Sequence, residues 1–145
     1  MSKESIMDIE HLPSWRELKV EAIRLNLDCN DVFVKLDDET IAREFNYIGP
    51  NRFPKWLRET LARLHSCLLP AVLIHDLDYY IGGTKEDFHA ANRRLNKNMK
   101  ICLKANRKKF GLISYWVERI HIRLFYKLCE KYGFEGWNKT NEENT

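Results

Sequence analysis

The sequence predicts a mainly α, single-domain protein built around an antiparallel helix pair. Three observations lead there. Apolar residues recur three and four apart in one segment after another. Helix-capping residues stand at the starts of those segments. The 6 Gly and 4 Pro of the 145 residues are sparse and fall mostly at segment ends. A chain of that length can bury one sizeable core. Its 44% hydrophobic content excludes a mainly disordered chain, and the low Gly and Pro content excludes a collagen-like one.

Ser14 followed by Glu17 is a capping-box pattern, and Trp15, Leu18, Ala22 and Leu25 then keep helical spacing. A helix is expected over 14–26. Residues 31–36 (DVFVKL) read as a short strand or an extended crossing with one apolar face. Asp37, Asp38 and Glu39 favour the positive end of a short helix ending near Phe45. Tyr47-Ile48-Gly49-Pro50-Asn51 is a loop, because Gly and Pro interrupt both periods. Pro54 opens a helix to about Leu68, and Pro70 opens another to about Tyr80, stopped by Gly82-Gly83. Thr84 and Asp87 cap the next, which runs to about Ala105.

A final helix over 112–132 carries Ile113, Trp116, Ile120, Leu124 and Leu128 on one stripe, and at that spacing Trp116 reads as core. Gly133 ends it, and the polar tail is expected to fray. One domain results: an N-terminal helical region (1–45), a core (47–105), the long helix (112–132) and a tail (134–145).

Charge is unevenly distributed. The net charge is +3, yet residues 93–133 alone carry 12 basic and 2 acidic side chains. Arg93, Arg94, Lys97, Lys100 and Lys104 lie on one helix, with Arg107, Lys108 and Lys109 at its end. This is a candidate anion-binding face for lipid headgroups or nucleic-acid phosphate. It lacks interleaved aromatics and any base-reading motif, so sequence-specific nucleic-acid recognition is disfavoured. Trp56, Trp116 and Trp137 are candidate interfacial anchors.

Cys29, Cys67, Cys102 and Cys129 form no CxxC pair and read as small core residues. The first ten residues lack the apolar region of a signal peptide, and no uncharged apolar run has membrane-spanning length. A soluble protein, cytoplasmic or phage-associated, is expected.

The densest chemical signal is Ile74-His75-Asp76-Leu77-Asp78-Tyr79-Tyr80, followed by Ile81-Gly82-Gly83. Polar groups on an apolar helix are costly unless paired. His75 and Tyr79, four apart, share a face, and Asp78 lies one turn from His75. On the following helix Phe88, Asn92, Leu95, Met99 and Cys102 form one stripe, which puts Asn92 among apolar residues. The tight turn between the helices makes them antiparallel and brings Asn92 level with His75. A buried Asn needs hydrogen-bond partners and an imidazole N–H is a good one, so His75 Nδ1 is expected within hydrogen-bond reach of Asn92.

His75-Asp76-Leu77-Asp78-Tyr79 fits an HDxxY motif. With the loop at 47–51 and Ala91-Asn92-Arg93-Arg94-Leu95 behind it, the chain resembles the phospholipase A2-like proteins of phage, bacterial and parvovirus type. The likeness spans residues 47–99, about a third of the chain. It implies hydrolysis of a phospholipid acyl ester, with His75 as general base, Tyr79 in its hydrogen-bond network and Asn92 at the position facing the base. It also implies Ca2+ held by Asp76 and backbone oxygens of the loop, at Gly49 above all and at Tyr47. An ion there would polarise the ester carbonyl. Two departures stand out: Pro50 runs straight into Asn51 without a further Gly, and Asn92 replaces the family's Asp. Hydrolysis is therefore expected to be slowed or lost unless Asp78 or Asp87 substitutes, while calcium binding could survive.

Two other readings compete. AVLIHDLD also resembles the HD core of metal-dependent phosphohydrolases. That class needs a distal Asp, and Asp87 is the last in this chain. The alternative from outside enzymology is a phage or prophage binding protein that uses the basic helix to contact nucleic acid, membrane or a protein partner.

Overall fold

The computed structural model describes residues 12–45, 47–48 and 54–138. Every regular element among them is helical. In chain order these are α1 (Trp15–Arg24), α2 (Asp31–Lys35), α3 (Asp38–Glu44), α4 (Lys55–Leu64), α5 (Leu69–Ile81), α6 (Lys85–Ala105) and α7 (Leu112–Tyr132). Short 3-10 turns follow α4, α6 and α7.

The expected caps form. Ser14 Oγ accepts from Glu17 N at 3.3 Å, and Glu17 Oε2 accepts from Ser14 N at 3.1 Å. Thr84 and Asp87 make the same reciprocal pair at the start of α6. One sequence expectation fails: residues 31–35 form neither a strand nor an extended crossing, and only Leu36 is extended. Asn30 accepts from Val32 N at 3.0 Å and starts one helical turn, which buries Phe33 while Val32 and Val34 stay exposed. A single turn satisfies its own backbone, whereas a strand would need a partner.

Helix α5 is the centre. It is apolar nearly all round, the pattern of a buried helix, and Leu69, Leu73, Ile74 and Leu77 are fully enclosed. Helices α1 and α6 pack against it, and α7 packs against α6. Side chains that pair 75 with 92 and 79 with 88 show that α5 and α6 run antiparallel. His89 against Glu130, and Arg107 over Tyr115, show the same for α6 and α7. Buried Asn98 fixes the chain between α1 and α2 by accepting from Asp28 N at 2.9 Å and donating to Asp28 O at 2.7 Å.

The face of α7 that meets the core is not the expected one. Tyr115, Glu118 and Ile122 are buried, with Phe125 and Cys129 partly so, at heptad spacing. The stripe of Ile113, Trp116, Ile120, Leu124 and Leu128 is exposed, Ile113 at 80% and Trp116 at 54%. The two stripes are two positions apart, about 200° around the helix. Hydrophobicity alone picked the outer stripe; the inner one is buried because its polar members find partners.

The first part of the tail also departs from expectation. Trp137, 4% exposed, packs with Phe88 and Ala91 in a second small core beside Tyr79 and Phe134. Its Nε1 donates to Gly83 O at 3.1 Å, and Asn138 bonds the backbone of Tyr79, Tyr80 and Gly83. Gly82 adopts φ +68°, and a side chain there would collide with the Asn138 carbonyl. The Gly-Gly turn therefore accommodates both a helix reversal and the returning chain. Residues 139–145 lie outside the described residues.

Candidate active site

Helix α5 presents His75 and α6 presents Asn92, both buried. The expected pairing is present, through the other nitrogen: His75 Nε2 lies 2.9 Å from Asn92 Oδ1, not Nδ1. An amide oxygen only accepts, so Nε2 carries the proton and Nδ1 carries the lone pair. Tyr79 Oη donates to the same Asn92 oxygen at 2.9 Å. The His75 and Tyr79 rings lie 4.3 Å apart, as their four-residue spacing requires. Asn92 Nδ2 is buried without a hydrogen-bond partner among the described residues.

Burial lowers the His75 pKa to about 4, against the pull of the Asn92 bond, so the ring is neutral at pH 7. Burial also raises the Tyr79 hydroxyl well above its ordinary value, so it stays a donor.

Neither Asp78 nor Asp87 substitutes for the missing carboxylate at position 92. Arg94 Nη1 lies 2.9 Å from both oxygens of Asp78. Asp87 Oδ2 accepts from Thr84 N and Oγ1 at the cap of α6. Asp78 sits on the face of α5 toward α6 and the 28–29 turn, with burial raising its carboxyl to about 6. Arg94 is correspondingly unavailable for an outside anion, being held by Asp78 and 3.6 Å from Asp28. The other four cations remain exposed. Arg93, Lys97, Lys100 and Lys104 follow i, i+4, i+7 and i+11, one stripe along α6.

Asp76 is half buried and faces the end of α7, where its charge acts on Tyr79 and Cys129. For calcium the described part of the site offers this one carboxylate, about 100° around the helix from His75. A hard cation takes further oxygens, which would have to be backbone carbonyls. Gly49, Pro50 and Asn51 lie outside the described residues. Tyr47 adopts φ +60° and its hydroxyl donates to Pro13 O at 3.3 Å.

Sequence reading missed two features. Trp137 seals the Tyr79 end of the pair by ring contact at 5.2 Å; its isolation in a polar tail gave no periodic signal. His65, which lies outside the motifs, pairs with Glu118 of α7, Nδ1 to Oε1 2.6 Å. The thiols of Cys67, Cys102 and Cys129 are pushed by burial to about 12, which leaves them inert at neutral pH. No helix among the described residues is long and apolar enough to cross a membrane. Comparison of the chain with protein-family models, with characterised proteins and with solved structures gives no match.

Proposed function

We propose that the protein is a phospholipase A2-like acyl-ester hydrolase acting at an anionic lipid surface, slowed by Asn at position 92. The observation that carries this reading is the single oxygen, Asn92 Oδ1, that accepts from both His75 Nε2 and Tyr79 Oη. Two bonds on one acceptor fix the ring plane and tautomer of His75. Its Nδ1 is then the atom that takes a proton from water as water attacks an ester carbonyl.

Asn92 also explains the slowness. A base with pKa about 4 holds a proton weakly, and a neutral amide does not offset the charge of the imidazolium that forms. Calcium belongs to the same proposal, held by Asp76 with carbonyls of Tyr47 and Gly49. When bound it would supply polarisation of the ester carbonyl.

The outer face of α7 supports a lipid partner. Ile113, Trp116, Ile120, Leu124 and Leu128 are exposed, and Arg119, Arg123, Lys127 and Lys131 flank them. An apolar stripe bordered by cations is the composition of a helix lying on an anionic membrane. The same helix ends beside the site: the Asp76 charge reaches Cys129, and Gly133 adjoins Tyr79 Oη.

Fatty-acid release from mixed micelles of phosphatidylserine and detergent, with and without calcium, tests the reading. Wild type should release fatty acid slowly and only with calcium, and His75→Gln should release none above background. If the two proteins behave alike, the hydrolase reading fails. Retained binding to duplex DNA would then favour a non-enzymatic binding protein.

A further inference from the structure

A second buried polar cluster lies apart from His75. His65 follows the last residue of α4, and Glu118 and His121 stand three apart on α7, so their side chains leave the helix on one face. His65 Nδ1 lies 2.6 Å and His121 Nδ1 3.8 Å from the same oxygen, Glu118 Oε1. All three donor atoms fall within 4.8 Å of one another. His65 and Glu118 are buried. His121 Nδ1 is buried too, with no hydrogen-bond partner among the described residues. The two imidazoles meet edge to face at 5.1 Å, and Phe125 closes on His65 at 5.0 Å.

A buried carboxylate and an orphaned imidazole nitrogen side by side are costly, because a buried polar atom without a hydrogen bond keeps its full desolvation penalty. One divalent ion between the three donors would satisfy all of them. We propose that His65, Glu118 and His121 bind a transition-metal ion of the zinc class in a three-ligand site whose fourth position is open. Two imidazoles with one carboxylate suit zinc and its first-row neighbours, whereas calcium and magnesium prefer oxygen alone. Metal–ligand bonds of about 2.0–2.2 Å place tetrahedral ligand atoms about 3.3 Å apart. The observed 2.6 and 3.8 Å lie on either side of that spacing.

Loading requires Glu118 to release His65 and the three donor atoms to draw to a common distance around the ion. Each histidine then ligates through Nδ1 as neutral imidazole, so the Nδ1 proton that His65 shares with Glu118 is displaced. Three protein ligands leave one position for water, the arrangement in which zinc makes water acidic. The Phe125 ring supplies an apolar wall beside the ion. This site is independent of the hydrolase proposal, since it shares no residue with it.

Calorimetric titration of zinc chloride into the full chain, after chelator treatment, tests the site. Wild type should bind one zinc per chain, undisturbed by millimolar calcium. His121→Ala and Glu118→Gln should each weaken binding by more than about a hundredfold, because even outer partners of a ligand are worth about 10–100-fold. His121 is partly exposed and its Nδ1 makes no hydrogen bond among the described residues, so His121→Ala should keep the wild-type circular dichroism spectrum. His89→Ala, which disrupts the unrelated His89–Glu130 pair, should bind zinc as wild type does. Absence of zinc binding in wild type, or equal binding in wild type and His121→Ala, would overturn the proposal.

Discussion

Arg94 Nη1 stands 2.9 Å from both oxygens of the buried Asp78 carboxylate and so ties α6 to α5 by an ion pair. At neutral pH the Asp78 carboxyl, raised by burial to about 6, is ionised. Without its partner that charge would be stranded. Arg94→Met should lower stability by about 3–5 kcal/mol at pH 8. The loss should shrink at pH 5, where the stranded carboxyl takes up a proton and no longer needs a counter-ion. Thermal melts at the two pH values check this; an equal loss would assign the destabilisation to packing instead.

Asn92→Asp should strengthen the site. A carboxylate facing His75 Nε2 stabilises the imidazolium, so the His75 pKa rises. It also removes Asn92 Nδ2, a buried donor without a partner among the described residues. Fatty-acid release should increase at least about tenfold, and the acid limb of its pH profile should move upward. A profile that keeps its wild-type limb would mean that His75 is not the titrating base.

The buried imidazole also imposes a pH dependence on folding. The folded His75 binds its proton only near pH 4, the unfolded one near 6.5. Its contribution is therefore fully present above pH 6.5 and is lost as pH falls toward 4. At about 1.4 kcal/mol per tenfold in proton affinity, the loss approaches about 3 kcal/mol. Asp78 works in the opposite direction over a similar range, because its carboxyl is raised. Denaturant titrations of wild type and His75→Gln should isolate the histidine: their stability difference should change by about 2 kcal/mol between pH 7 and pH 4.5, short of the full loss because the folded ring titrates near 4.

Trp137→Ala should cost about 3 kcal/mol, the low end for deleting a large buried aromatic. It should also loosen Tyr79, which packs on the indole. Hydrolysis should fall along with stability. Loss of stability with unchanged hydrolysis would show that the aromatic cover is structural alone.

A change on the outer face of α7 should separate lipid docking from folding. Leu124→Glu with Leu128→Glu should abolish sedimentation with phosphatidylserine vesicles and leave the melting temperature within about 2 °C, since exposed positions contribute little to stability. A wild-type chain that fails to sediment with those vesicles would remove the lipid surface from the proposal.

Local signals were legible in the sequence. Ser14 with Glu17, Thr84 with Asp87 and the prolines near helix starts mark boundaries because capping chemistry is confined to a few residues. The His75–Asn92 approach was legible too, since a tight turn and two helical periods fix which residues come level. What escaped depends on partners distant in sequence. The buried side of α7 was misread because Glu118 looks like a surface residue until His65 is placed against it. Trp137 gave no periodic signal, and its place depends on the Gly82-Gly83 turn more than fifty residues earlier. DVFVK alternates like a strand, and only Asn30 at its start discloses the helical turn.

Gly83 and Trp137 are joined across 54 residues, and the span between them is almost wholly two helices of 21 residues each. At 1.5 Å per residue each is about 32 Å long. The chain goes out along α6 and returns the same distance along α7, arriving where it left. The clasp on the Gly-Gly turn thus acts as a ruler that compares the two lengths. Adding one turn to either helix alone would shift the returning end by about 5.4 Å, farther than the Trp137 and Asn138 hydrogen bonds can stretch. Paired insertions, one turn in each, would restore the match.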